Sequence, residues 1–472
     1  MTRRQFVATA AVMLSLGVLT GCGGGDGKEA DAGGRPTAGA SASATRQAWP
    51  AYKGAALPGL ARTPVWSVAA RHDNGCPGDP AAKAAAHVAG DYDPQTCVIG
   101  DAVVLTEDLS KTDDTNQTVD RHYRVRLYDA HTGRVRRTVD TDTPGAWPTE
   151  RSGGASAYVQ VTSWKDGSPA LLVVDGDEVP ADGLKKATVR TTYTAYAPSG
   201  AVLGRSSYTG EEYTDLTAEA GHLLLKEGSG TSTYAPIGGG AAVQVHDRGD
   251  DQDPLGSGFG YYVHSTYDIV DGSGSKLVVG DRRTGKEMWT LDDVGRPAAL
   301  AKDDGDNPPV LHPLTADKGL LIWDLPAGSA HGALLTVVDL RTGRLLAEGP
   351  QVDTGNVDRL QTVLSADGST AVTRMGAGAV AWNVTTGKEL WRQGEDEQGL
   401  TPLALPTDKN LFADAGPDLG LTAVDMATRK VLGKNLDGDA DGPGDGSALQ
   451  FTADGYGVLF AGDFFVFAPQ KG

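Results

Sequence analysis

The residues best placed to do chemistry lie near the C-terminus, in Asp437-Gly-Asp439-Ala-Asp441-Gly442-Pro-Gly-Asp445. Carboxylates at alternate positions can surround one hard cation. Gly442 permits the sharp bend, and the Pro443 carbonyl and Asp445 can complete an oxygen shell. Asp437, Asp439, Asp441 and Asp445 are therefore the candidate calcium ligands. Ala448 stands where an EF-hand loop would place its bidentate glutamate, so the alternative is a plain acidic, glycine-rich loop. Other chemistries lack their residues. The nine histidines form no HExxH, no serine sits in a G-x-S-x-G elbow, and Glu287 follows GDRRTGK where a phosphate loop needs Ser or Thr. No catalytic residue is assigned, and the expectation is a non-enzyme.

Three cysteines remain to be placed. Arg3 and Arg4 precede a mostly apolar run, Val7–Leu19, too short to span a bilayer as a mature helix. The run ends in Leu19-Thr20-Gly21-Cys22, which resembles the lipobox of bacterial lipoproteins. That resemblance implies a signal peptide over 1–21, acylation of Cys22, and an extracytoplasmic chain held to the outer leaflet of the cell membrane. Arg3-Arg4 also resembles the twin-arginine export signal, so the export route stays open. Residues 22–48 read as a flexible Gly/Ala/Ser-rich tether with a reach of about 25–30 Å. Cys76 and Cys97 are then left as a pair outside the membrane, where disulfides persist. They would staple a proline-containing insertion over 69–97; a free thiol at Cys97 is the alternative.

The elements that position these groups come from a repeat. SKLVVGDRRTGKEMW, residues 275–289, has a near twin in GAVAWNVTTGKELW, residues 378–391. Each is an apolar strand, an Asp or Asn, a Thr-Gly turn and a second strand ending in Trp. The acid caps the turn, Gly285 or Gly387 takes the positive φ, and Trp289 or Trp391 packs on a neighbouring sheet. Weaker copies turn at Gly133, Gly200, Gly238 and Gly343, at Arg429 in place of glycine, and at Gly472. A period of about forty residues is that of a four-stranded propeller blade. The expectation is an all-β chain with a single β-propeller over 49–472, eight blades favoured over seven. If Gly238 merely ends a loop, the count is seven. The chain stops at its last turn, and the short strand around Trp66 has no hairpin of its own. It should complete the C-terminal blade and close the ring. Trp164, Trp323 and Trp382 read as core or blade contacts, and Glu107–Asp120 as a solvated loop.

The Asp-x-x-Thr-Gly-x-x-x-Trp repeat resembles that of the pyrroloquinoline-quinone-like propeller family. The likeness covers roughly residues 60–472 and is clearest at Gly285 and Gly387. The family includes quinoprotein dehydrogenases and non-catalytic envelope lipoproteins. Its enzymes stack the quinone on a disulfide between adjacent cysteines. No adjacent cysteine pair occurs here, so no pyrroloquinoline quinone is expected. The acidic loop at 437–445 matches the calcium loop of integrin-α-type propellers.

The formal charge is −19, which argues against a nucleic-acid groove or an anionic membrane surface as partner. The function expected is a monomeric, lipid-anchored binding or scaffold protein of the cell envelope. Its partners would be envelope proteins or cell-wall components, with attachment to the membrane through the N-terminal lipid. The alternatives are a quinoprotein-like oxidoreductase and a carbohydrate-binding or cell-wall-binding propeller.

Overall fold

Successive strands of this chain pair with their sequence neighbours, antiparallel throughout, and every fourth strand starts a new sheet. The computed structural model describes residues 50–69, 74–78, 96–112, 118–143, 158–209, 218–228, 231–245, 260–266, 276–300, 309–325, 332–353, 361–376, 378–394, 396–416, 418–436 and 449–470. Eight sheets form the blades of a β-propeller. Blade 1 runs Val98–Ile99, Ala102–Asp108, Thr118–Asp129 and Val135–Thr143; blade 2 runs Val159–Ser163, Pro169–Val179, Thr188–Tyr196 and Val202–Thr209. Blade 3 is Ala218–Glu219, His222–Gly228, Thr231–Pro236 and Val243–Val245; the pairing of its last two strands across Gly238 decides eight blades over seven. Blade 4 has three described strands, Tyr261–Thr266, Lys276–Asp281 and Lys286–Thr290. Blades 5, 6 and 7 begin at Val310, Thr362 and Thr401, and blade 8 at Leu449.

The repeat explains the blades one hydrogen bond at a time. In five hairpins the side chain of Asp129, Asp281, Asp339, Asn383 or Asp425 accepts backbone N–H groups of its own turn. Its carbonyl accepts the N–H of the turn residue four positions on. That turn residue is left-handed in each, from Arg429 at φ +60° to Gly387 at φ +71°. A register shift accompanies these turns, for instance between Ala381 and Trp382. The extra residue lets a tight turn join twisted strands.

Positive φ is only half of the glycine requirement. The turn of each blade lies against the outer strand of the blade before it. A Cβ on Gly133 would stand 2.7 Å from the Trp66 indole, and one on Gly343 2.8 Å from that of Trp289. The two indoles donate Nε1–H to the residue after the capping acid, Trp66 to Ala130 O at 2.7 Å and Trp289 to Leu340 O at 2.8 Å. Strand, turn and tryptophan therefore form one inter-blade latch, and the tryptophans have the structural role expected of them.

Blade 7 breaks the pattern. Arg429 takes the left-handed turn position at φ +60°. Trp391 of blade 6 is half-buried, its Nε1 without a hydrogen-bond partner among the described residues. The Arg429 side chain spans the joint instead, donating from Nη1 to Arg392 O at 3.1 Å and to Glu397 at 3.0 Å. Replacing Arg429 with glycine relieves the left-handed strain, about 1–2 kcal/mol. It also removes an exposed ion pair of small worth and loosens the unfolded chain. Urea unfolding should therefore show a change within about 1 kcal/mol for Arg429→Gly, whereas Gly343→Ala should cost more than that.

Ring closure takes place where the sequence placed it, and over a longer stretch. Trp66–Val68 pairs with Phe464–Phe467 as the outer strand of blade 8. The pairing continues through Ala61 N–H to Ala468 O, the Leu60–Pro469 bridge and Gln470 N–H to Gly59 O. Leu57 and Leu60 are buried with Phe412, Leu459, Phe465 and Phe467. Gly472 lies outside the described residues. Blade 8 then meets blade 1 through Trp66 on Tyr128 (5.4 Å, stacked), Ala453 N–H to Gly100 O at 2.9 Å, and His131 with Asp454.

One reading is corrected. The span Glu107–Asp120 is not simply a loop: Glu107 and Asp108 end one strand, Thr118–Asp120 begin another, and Lys111–Thr112 pairs with the latter. The disulfide-bearing insertion begins and ends within blade 1. Asn74–Gly75 pairs with Glu107 and Thr106, and Val98–Ile99 pairs with Val103 and Ala102, both antiparallel to the same strand. The inner strand of blade 1 is thus assembled from two pieces. Cys76 and Cys97 bond where the pieces meet, their Cα atoms 4.7 Å apart, and Thr96 N–H to Pro77 O at 3.0 Å narrows the same neck. The insertion is an excursion from the innermost strand. Its first step, Gly78, bonds to Val159 O and Val161 N on the inner edge of blade 2.

Candidate functional site

Four strands per blade give the propeller two rims of unlike character. At one rim, inner strands turn into second strands and third strands into outer strands. Every described connection there is short; the longest is 237–242. At the other rim lie the second-to-third connections and the passages between blades, which reach 144–158, 291–309 and 434–448. Variable loops on a rigid scaffold are where a propeller carries function. The long rim is therefore the candidate functional face. The passage from blade 7 to blade 8 holds Asp437, Asp439, Asp441 and Asp445, which lie outside the described residues, as does Cys22. The described residues contain no group of three or more His, Cys, Asp or Glu arranged for a metal ion.

The rims also differ in charge. Among the described residues, the connections of the long rim carry 8 Asp and Glu against 4 Lys and Arg. Those of the short rim carry 6 against 10. Among the described residues, the connections of one rim are acidic and those of the other basic.

Blades 1 and 2 carry the longest strands, and these end at the long rim in a ladder of ion pairs. Arg124 Nε donates to Asp140 at 2.7 Å, Arg126 pairs with Glu107 at 2.8 Å and Arg190 with Asp177 at 2.8 Å. His122 pairs with Asp142, whose N–H donates to Asp175 at 3.0 Å across the blade boundary. Burial pushes the Asp175 carboxyl up, against the pull of that N–H. The Arg124 guanidinium holds Asp140 below the usual carboxylate range. Exposed pairs add little stability singly, but they hold the projecting strands as a firm polar platform. The sequence carried a sign of it in HYRVRLYD, where charged and apolar residues alternate with the period of a strand. Reading that stretch only for its turn missed the ladder.

At the short rim the polar groups serve the blade joints. Arg136 donates twice to Asp101, at 2.9 and 2.8 Å, twice to Asp129, at 3.3 and 2.7 Å, and to Pro198 O of blade 2 at 3.1 Å. Partial burial would raise the Asp129 pKa, but Arg136 and the Thr132 hydroxyl and amide outweigh it and bring it to about 2. Because the folded value lies below the unfolded one, the stabilisation is complete above about pH 5 and fades as pH falls towards 2. Asp129→Asn should destabilise the chain by about 2 kcal/mol near neutrality. Its unfolding curve should converge on that of the wild type as pH approaches 2, which urea titrations across that range would measure.

The three tryptophans set aside as structural are so. Trp382 is fully buried with Nε1 on Thr373, Trp323 donates to Thr336 at 2.8 Å, and Trp164 packs against Gly204 and Gly221.

No protein-family model matches the chain, and a search of curated proteins found no match. Among solved structures, it is similar to an uncharacterised protein from Listeria monocytogenes, at 11% identity over 72% of this chain and 94% of that one, with a TM-score of 0.35. A β-propeller domain from a Myceliophthora protein shares 11% identity over 72% and 96% of the two chains, TM-score 0.29. Hydrazine synthase from Kuenenia stuttgartiensis shares 12% over 65% and 94%, TM-score 0.31. Likenesses this distant carry no argument about activity, and the fold rests on the strand pairing itself.

Proposed function

We propose that the chain is a lipid-anchored, extracytoplasmic member of the pyrroloquinoline-quinone-like propeller family that binds or scaffolds another envelope component without catalysis. The long rim would be the face that engages the partner. The observation that carries this is that the long passages between blades leave and rejoin the described strands on one side of the ring, where the described connections are acidic. Such a face recognises a partner with a basic surface, and the association should weaken steeply with salt. The cysteine chemistry supports a role other than quinone binding: Cys76 and Cys97 are bonded to each other, where they complete a strand.

Two experiments test the parts of this reading. A clickable fatty acid fed to expressing cells should label the wild-type chain and not Cys22→Ser; equal labelling would remove the lipid anchor from the account. Affinity capture from solubilised membranes should recover a specific protein at low salt that is lost at high salt. Recovery of no protein at any salt would remove the binding role, and turnover of an alcohol with added quinone and calcium would replace it with an enzyme. Calcium at Asp437, Asp439, Asp441 and Asp445 belongs to the same proposal, and isothermal titration without heat at millimolar calcium would dispose of it.

A further inference from the structure

The overall charge of −19 counts against an anionic surface as partner only if the charge is evenly spread, and it is not. Each of five hairpins places a lysine or arginine directly after its turn residue: Arg134, Lys286, Arg344, Lys388 and Lys430. Arg341 adds a sixth within the blade 5 turn. All six are exposed, and none makes an ion pair among the described residues. The acids of the same hairpins are engaged elsewhere. Asp129 and Asp101 hold Arg136, Asp281 holds Arg283, and Asp339 and Asp425 cap their turns. The cations stand on the short-rim turns of blades 4, 5, 6, 7 and 1. The acids of the long rim are a strand length away. A seven-residue strand such as Lys318–Asp324 spans about 20 Å, whereas charges in physiological salt are screened over about 8 Å. A surface touching the short rim therefore meets these cations together with the rim's own exposed acids, Asp166, Asp317, Asp367, Asp408 and Asp454, and not the net charge of the whole chain.

We infer that the short rim is a docking face for an anionic phospholipid bilayer. Basic side chains near such a surface contribute about 1 kcal/mol each, and an array can engage several headgroups together. This orientation turns the long rim away from the lipid, towards partners. It does not depend on the identity of the partner, nor on acylation of Cys22.

The test uses the chain from residue 22 with Cys22→Ser, which cannot be acylated, and vesicles of phosphatidylcholine with or without about a third phosphatidylglycerol. Sedimentation should show binding to the anionic vesicles alone, lost at high salt. The quadruple variant Arg341→Glu, Arg344→Glu, Lys388→Glu and Lys430→Glu should bind about 1,000-fold more weakly. Lys185→Glu with Lys186→Glu, an equally exposed change at the long rim, should bind as the parent does. Circular dichroism and melting temperature would confirm that each variant folds. No anionic-vesicle binding by the parent, equal loss in both variants, or retention of a soluble phosphate polymer without retention of vesicles would each overturn the assignment.

Discussion

Removing residues 465–472 should abolish cooperative folding of the whole propeller rather than fray its end. The cut takes away Phe465, Val466 and Phe467, each buried to 4% exposure or less. It also strips the outer strand Trp66–Val68 of its only paired neighbour in blade 8. Loss of one buried phenylalanine side chain costs about 3–5 kcal/mol, so two phenylalanines and a valine exceed much of the 5–15 kcal/mol by which a domain is stable. Leu57 and Leu60 would lose the same cluster, and Trp66 would no longer be held over Gly133 and Ala130. A ring joined by its own termini has no local way to absorb that damage. Thermal unfolding should show no cooperative transition in the truncated chain; a melting temperature equal to that of the full chain would sink the closure.

Gly387→Val should be the most damaging single substitution among the hairpin turns. The position has φ +71°, which a β-branched residue adopts only under strain. A Cβ there would stand 1.7 Å from Glu348 O and 2.5 Å from its carbonyl carbon. The obstacle is the backbone of blade 5, which no rotamer change can move aside. Strain and displacement together should cost about 3 kcal/mol or more, read as a lower midpoint in urea with the slope unchanged. The control is Gly368→Val: its φ of +67° is equally left-handed, but a Cβ there meets nothing within 4 Å. It should pay the conformational strain alone. Equal losses at the two sites would mean that the turns do not latch the blades.

Blade architecture was legible because it is written as spacing. Asp, Gly and Trp recur at fixed offsets, and each offset corresponds to a bond that a single hairpin needs: a capped turn, a left-handed residue, a docked indole. Even the irregular copy at Arg429 could be placed, since the flanking Asp425, Thr428 and Lys430 kept their register. What stayed hidden depends on which strands end together. Asn74–Gly75 and Val98–Ile99 are two-residue fragments with no apolar run, and only their shared partner strand unites them as one inner strand. The ladder from Arg124 to Asp175 joins residues of two blades. The segregation of charge is likewise invisible in a composition, because acids and bases alternate along the chain as it passes from rim to rim. The candidate calcium residues and Cys22 lie outside the described residues, so those readings stand as they were made.

The central claim is that partners are engaged at the long rim. Site-specific photo-cross-linking in cells tests it most directly, with the reactive side chain placed in turn at Leu184 and Asp418 on the long rim and at Thr385 and Ala427 on the short rim. All four positions are exposed. The account predicts a discrete protein adduct from Leu184 or Asp418 and none from Thr385 or Ala427. A protein adduct formed only from the short-rim positions would contradict it.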